Sequence, residues 1–380
     1  MFLLSLFKMI ALTFVKHFFL AYHSKQSNTP IKRMKWFGNL RATIADVARE
    51  AGVSAMTVSR ALRDPDKVSA KTRVKIQAVV DRLGYVPDPA ASALAAGKTN
   101  VIGVIVPSVT NNVFSDVMRG VYEVAEGSKW QIQLGNSRYS PLEEENLVRT
   151  FLSQKPAGLI LSGLDQSDET SKLLMSADCR IVQIMECGPD PFDMMIGFSH
   201  VEASAAATRH LLEEGYRRPG YIAARLDPRS QRRLAGFKAE AEKAGVFSAG
   251  RIVTTPRPST VTLGCELVAD LLSKAPETDA ILCNNDDLAL GALFECQRRG
   301  LRVPEDFGIC GFNDLEMMAA ANPSITSVRT YRLDMGREAF EMLTRALGGN
   351  EPGQALIDLG YEVVGRQSTA RHGTVKPVPA

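Results

Sequence analysis

Apolar residues recur at helical spacing early in the chain and later switch to short continuous runs. In Thr43–Leu62, Ile44, Val47 and Ala48 fall at i, i+3 and i+4, and Val58, Ala61 and Leu62 repeat that spacing after a break. Thr43 is placed to N-cap the first segment, with Asp46 three residues on in capping-box position, where Glu or Gln is more usual. Gly52 supplies the left-handed residue that ends it, and Ser54 caps the second segment. Ser69 opens a third predicted helix, Ala70 to Leu83, closed by Gly84. Two short helices around a Gly-containing turn have the shape of a helix-turn-helix, whose second helix lies in the major groove of DNA. Helix, glycine, helix also joins ordinary packed helices, so this pattern alone leaves both readings open.

From Val101 the period changes. VIGVIV (101–106) is a continuous apolar run, suited to a strand buried on both faces. A helix over 113–127, a strand near 132–134, a helix over 142–153, GLILS (158–162), a helix near 168–177 and RIVQIM (180–185) follow. After MIGF (195–198) the pattern restarts, with helix 201–214, YIAA (221–224), helix 230–244, a strand near 251–254, helix 260–274, DAILC (279–283), helix 286–299 and GICGF (308–312). A helix near 332–347 and a single strand near 356–364 complete it. Alternation at this spacing predicts parallel sheets, and two similar runs predict two stacked α/β lobes. The expected fold is an all-α helix-turn-helix headpiece followed by a two-lobed parallel α/β core. The expected segments are an apolar and basic extension (1–40), the headpiece (41–86), a linker (87–98), the core (99–370) and a frayed tail (371–380).

Charge supports a DNA-binding front. The total is only +3, yet residues 1–40 hold six Lys/Arg and no acid, and residues 41–98 hold ten Lys/Arg against six Asp/Glu, so the remainder is net acidic. A basic module on an acidic body suits nucleic-acid binding, although a solvated basic surface would look the same. The six cysteines show no C-x-x-C spacing, and Cys283 sits inside an apolar run, which reads as free buried thiols. His17, His23, His200, His210 and His372 fall in no metal spacing or nucleophile motif, and no G-x-G-x-x-G or Walker sequence follows the first strand. An enzyme is therefore not expected, and neither is a cofactor or metal.

Met1 to Tyr22 is strongly apolar but is interrupted by Lys8, Lys16 and His17. A lysine near the centre of a spanning helix costs about 2.5–3.5 kcal/mol, and no A-x-A cleavage site follows. The expectation is an over-long start, with Met34 as the initiator of a cytoplasmic protein that has no membrane partner. A membrane-tethered regulator is the competing reading.

Ligands of open α/β sheets bind beyond the carboxyl ends of the strands, and two lobes place that site in the cleft between them. Polar residues recur at those positions: Ser108 and Asn111, with Phe114 close behind, then Asn136 and Arg138, Glu186, Arg225 and Asp227, Asn284 to Asp287, and Asn313 with Asp314. Each alone could be a cap or turn residue. Their convergence from six strand ends points to ligand contacts.

The segments DVAREAGVSAMTVSRAL, VSAKTRVKI and LGYVPDPAASALAAGK resemble the headpiece and hinge of the lac/gal (LacI/GalR) repressor family, without a gap from Asp46 to Lys98. PSVTNNVFSDVMRG, MIGFSHVEA, ARLDPRS, CNNDDLALGALFECQRRGLRVP and IDLGY resemble its gluconate-operon branch, so that the likeness runs from about residue 43 to 362. The resemblance implies a core like the type I periplasmic binding proteins. It implies that Ala55 and Met56 occupy the base-choosing positions, where they can touch a thymine methyl but make no bidentate hydrogen bond. Arg60 can reach a guanine or a phosphate, and Thr57, Ser59 and Lys71 are expected on phosphates. Thr43 and Ser54, at the helix N-termini, complete the headpiece set. Pro89 to Ala96 resembles the hinge helix, and Leu94 matches the leucine that wedges into the minor groove.

In the cleft, Arg233 matches the family's effector-clamping arginine and Asn285 its cleft asparagine. Glu186 stands where an aspartate is common, and Asn313 where sugar-binding members often carry aspartate. The expected effector set is Ser108, Asn111, Phe114, Asn136, Glu186, Arg225, Arg233, Asn285 and Asn313. The implied function is a repressor of sugar-acid metabolism, a homodimer on a palindromic operator, released by gluconate or 6-phosphogluconate. Arginine suits carboxylate or phosphate, but the sequence does not decide between Arg225 and Arg233, nor between induction and co-repression. RQSTARHGTVKPVPA carries no leucine heptad, which favours a dimer over a tetramer. The rival reading, a periplasmic sugar-binding protein of a transporter, has no use for Thr43–Lys98.

Overall fold

The computed structural model describes residues 42–87, 99–350 and 353–371. The chain divides into two compact units, one ending at Asp88 and one beginning at Pro89. The extension, Pro89–Ala96 with Leu94, and the tail beyond Arg371 lie outside the described residues.

The first unit holds α1 (Ile44–Ala51), α2 (Ala55–Arg63), a 3-10 turn (Pro65–Lys67) and α3 (Ala70–Leu83). Asp46 completes the capping box despite its short side chain. Asp46 N donates to Thr43 Oγ1 at 3.3 Å, and Thr43 N donates to Asp46 Oδ2 at 3.0 Å. Gly52 closes α1 at φ 61°, in the left-handed region. Ser54 and Ser69 accept from Thr57 N at 3.1 Å and Thr72 N at 3.3 Å, capping the next two helices. Val47, Ala51, Val58, Ile76, Val79 and Val80 form the buried centre.

The second unit contains two parallel sheets. In chain order its elements are β1 (Val101–Val106), α4 (Asn112–Ala125), β2 (Gln131–Asn136), α5 (Pro141–Ser153), β3 (Gly158–Ser162), α6 (Asp168–Met175), β4 (Arg180–Ile184), β5 (Met194–Gly197), α7 (His200–Glu213), β6 (Pro219–Ala224), α8 (Pro228–Lys243), β7 (Ile252–Thr255), α9 (Val261–Lys274), β8 (Ala280–Cys283), α10 (Asp286–Arg299), β9 (Gly308–Asn313), α11 (Glu316–Ala320), β10 (Thr326–Arg329), α12 (Arg332–Leu347), β11 (Leu356–Asp358) and β12 (Glu362–Val364). The first sheet runs β11-β5-β4-β3-β1-β2 and the second β12-β10-β9-β8-β6-β7. All pairs are parallel except β12 with β10. β1 and β6 are buried along their whole length, as their unbroken apolar runs require.

Two expectations need correction. The single strand near 356–364 is two short strands in different sheets. Gly360, at φ 66°, turns the chain between them, and its N–H donates to Asp358 Oδ1 at 2.8 Å. α11 and β10 were not expected at all. β10 reads TSVR, too short and too polar to show a strand period, and it is held as a neighbour of β9.

Helix pairs lock each lobe. α4 and α12 cross so closely that a Cβ on Gly120 would sit 2.1 Å from Leu333 O, and one on Gly336 2.0 Å from Val117 O. Only glycine allows that approach. α8 packs on α7 and β6, which assigns it to the second lobe, whereas α12 packs on α4, β4 and β5 of the first. No helix among the described residues is long and apolar enough to cross a membrane. No disulfide joins the cysteines among the described residues, and Cys283, Cys296 and Cys310 are buried.

Candidate functional site

The headpiece presents α2 with one face buried and one open. Val58 and Ala61 point into the core, while Ala55, Met56 and Arg60 are exposed, Met56 by 66%. Met56 therefore does not serve helix packing. Arg60 and Lys71 make no ion pair among the described residues, whereas Arg49, Arg63, Arg73 and Arg82 each have an acidic neighbour. Thr43, Ser54 and Thr57 are engaged in caps, and Ser59 is half-buried beside them.

In the core, the carboxyl ends of both sheets open onto one cavity of about 130 Å³. From the first lobe come Ser108, Asn111, Phe114 and Tyr139. From the second come Arg225, Asp227, Arg229, Ser230, Arg233, Ser259, Asn284, Asn285, Asp287 and Asn313. Seven of the expected effector residues thus meet here: Ser108, Asn111, Phe114, Arg225, Arg233, Asn285 and Asn313. Asn136 and Glu186 do not line the cavity. Asn136 Oδ1 accepts from Arg138 N at 3.2 Å and shapes the turn after β2. Glu186 is drawn instead towards Arg232 Nη1, 3.2 Å from its Oε2, and His200 Nε2, at 3.7 Å.

Arg233, on α8, is the best-held group. Its Nε donates to His200 Nδ1 at 3.1 Å, its Nη1 donates to Asn284 O, and its guanidinium lies 3.8 Å from the centre of the Phe312 ring. Burial lowers its pKa to about 10. Asn285 combines two roles: its Oδ1 caps α10 by accepting from Leu288 N at 3.1 Å, and it accepts from Ser259 Oγ at 2.9 Å. Asn111 similarly caps α4. Asn313 stands at φ 114° with its Oδ1 buried and without a hydrogen-bond partner, while Arg332 donates to its carbonyl. Asp286 points away, accepting from Leu315 N at 2.7 Å and Ser327 Oγ at 2.6 Å, so it ties α10 to β10 rather than pairing with Asp287.

α8 also reaches across to the first lobe. Arg232 forms a fork to Asp165, at 2.8 and 2.5 Å, and Arg229 Nη1 donates to Ser162 Oγ at 3.1 Å. Burial raises Glu186 to about 7 against the opposing pull of Arg232, and Glu144 also to about 7 against Arg229. Arg229 and Tyr139 were missed from sequence. Arg229 follows Pro228 in the first turn of a helix, where a charged residue ordinarily faces water. Tyr139 reaches the cavity through an unforeseen pair of left-handed residues, Arg138 at φ 52° and Tyr139 at φ 59°. No cluster of potential metal ligands occurs among the described residues.

Comparison with known proteins agrees with this arrangement. Residues 43–88 match the bacterial regulatory proteins of the lacI family, and residues 208–369 match a periplasmic binding protein-like domain. The transcriptional regulator GntR of Pseudomonas aeruginosa is 39% identical over 329 residues, spanning 87% of this chain and 96% of that one. A LacI-family transcriptional regulator from Silicibacter pomeroyi superposes with a TM-score of 0.81 at 32% identity, covering 87% of this chain and all of the other. The lac repressor dimer bound to operator superposes with a TM-score of 0.74 at 25% identity, over 86% and 99%. With a helix-turn-helix headpiece, a two-lobed cleft core and relatives of this closeness over most of its length, the chain belongs to the lacI family of DNA-binding transcriptional regulators and is not an enzyme.

Proposed function

We propose that the protein represses genes of sugar-acid metabolism and is released from its operator by a sugar acid such as gluconate or 6-phosphogluconate. The observation that carries this is Arg233. It is only 8% exposed and has no carboxylate within ion-pair distance among the described residues. Its neighbour Arg232, by contrast, is paired with Asp165 and Glu186. Removing a charge from water costs several kcal/mol unless it is compensated, and a carboxylate in the cavity supplies that compensation through a planar, two-pronged contact. Asn313 offers an amide where an aspartate would repel such an acid, and its unpartnered oxygen can accept from a ligand hydroxyl.

The related lac repressor structure is a dimer on its operator, and the same arrangement is proposed here, with one headpiece on each half-site. Ala55, Met56 and Arg60 face bases, and Thr43, Ser54, Thr57, Ser59 and Lys71 line the phosphate backbone. Leu94 is proposed as the minor-groove wedge, although it lies outside the described residues. Ligand closure of the cleft shifts the first lobes and separates the hinge segments. Calorimetric titration with gluconate, 6-phosphogluconate and galactose tests the assignment. A sugar acid is expected to bind most tightly, and tightest binding of galactose would overturn it.

A further inference from the structure

Arg233 does not exhaust the positive charge of the cleft. Arg225 and Arg229 line the same cavity but rest on a different aromatic surface. The guanidinium carbons of Arg225 and Arg229 lie 3.9 and 6.0 Å from the centre of the Tyr139 ring, and that of Arg229 lies 5.6 Å from Phe114. Arg233 instead lies on Phe312. The arginines of the cavity therefore rest on separate aromatic faces, Arg233 on Phe312 and Arg225 with Arg229 beside Tyr139.

This second group is only partly compensated. Arg229 donates to Ser162 Oγ at 3.1 Å and has Asp227 at 3.9 Å. Asp227 is itself engaged as the N-cap of α8, accepting from Ser230 N at 2.8 Å. Arg225 has no carboxylate in ion-pair reach, and its side chain makes no hydrogen bond among the described residues. The backbone is bent to place it. Arg225 and Leu226 stand at φ 69° and 53°, facing Arg138 and Tyr139 at 52° and 59°. Two successive left-handed non-glycine residues on each side are an unfavourable arrangement, and such strain collects at functional sites.

The geometry points to a second anion subsite, built by Arg225 with Arg229 over Tyr139, which makes the effector a sugar acid carrying a further anionic group besides its carboxylate. This rests on the sugar-acid reading above. A phosphate ester and a second carboxylate share the required chemistry, since both accept from guanidinium N–H groups.

The test is calorimetric titration of the full-length protein with gluconate, 6-phosphogluconate and glucarate, in wild type, Arg225→Gln and Tyr139→Leu, with thermal melting as the check on folding. One of the two acids with a second anionic group is expected to bind about tenfold or more tighter than gluconate, as a charge-assisted hydrogen bond warrants. Preference for 6-phosphogluconate identifies a phosphate, and preference for glucarate a second carboxylate. Both variants are expected to shrink that ratio. Equal affinity for all three acids in wild type, or a ratio unchanged in both variants, overturns the second subsite while leaving the sugar-acid reading standing. Binding of none of the acids overturns both.

Discussion

Arg233 Nε donates to His200 Nδ1 at 3.1 Å, so the nitrogen facing the arginine carries no proton. The imidazole proton is then on Nε2, 2.9 Å from Met185 O. Burial first, and the Arg233 charge second, hold His200 well below the usual imidazole range. A neutral ring thereby fixes the orientation of the guanidinium proposed to meet the effector. His200→Ala leaves a buried donor unpaired, which costs about 1–3 kcal/mol. Urea unfolding should show that loss, and calorimetry should show weaker effector binding. His200→Gln, which can present an oxygen to Arg233, is expected to retain more of both. Unchanged effector affinity in His200→Ala would show that Arg233 needs no such support.

The pH dependence of stability should carry the mark of Glu186. Its carboxyl is raised to about 7 by burial, against an ordinary value of 4.5. Between these values the folded state holds a proton that the unfolded state has released, so stability falls as pH rises from about 4.5 to 7 and is flat above. The contribution is on the order of 1–3 kcal/mol. Glu186→Gln should flatten this slope in urea titrations at stepped pH, and an unaltered slope would assign it elsewhere, Glu144 being the next group to test.

Met56 should affect selectivity without affecting stability. Its side chain is 66% exposed, and surface changes ordinarily stay within about 0.5 kcal/mol. Met56→Gln, which gains the amide suited to adenine, is expected to melt like wild type but to prefer different operators in a gel-shift panel. Unchanged operator preference would remove Met56 from the base-reading set.

Gly336→Ala tests the packing of the first lobe. The added carbon would fall 2.0 Å from Val117 O, a backbone atom that cannot swing aside. Overpacking of this kind costs about 1–3 kcal/mol or more, visible as a lower Tm. Gly245→Ala is the useful contrast. It has open space around it, but its φ of 68° makes it strained by backbone conformation rather than by contact.

The headpiece was legible in the sequence because its helices are short, amphipathic and marked at their ends by Thr43, Gly52, Ser54, Ser69 and Gly84. Most of the core was legible because buried parallel strands are unbroken apolar runs. β10 was not, since Thr326 and Ser327 are buried polar residues held through contacts remote in sequence: Thr326 N donates to Ser368 Oγ, the Thr326 hydroxyl meets that of Thr369, and the Ser327 hydroxyl donates to Asp286. Of the polar residues that close or follow a strand, Ser108, Arg225, Asn285 and Asn313 line the cavity, while Asn136 shapes the turn after β2 instead. The reading failed at Glu186, whose direction is set by Arg232 and His200, both distant in the chain. It missed Arg229 and Tyr139 because no periodicity marks a side chain aimed by a left-handed turn.

The most direct measurement is operator affinity with and without a saturating sugar acid, paired with sugar-acid affinity with and without operator. Coupling between sites is reciprocal. The acid should weaken operator binding, and operator should weaken acid binding by the same factor, with both effects reduced in Arg233→Met. Operator affinity indifferent to every sugar acid, or acid affinity indifferent to operator, would contradict release through the Arg233 cleft.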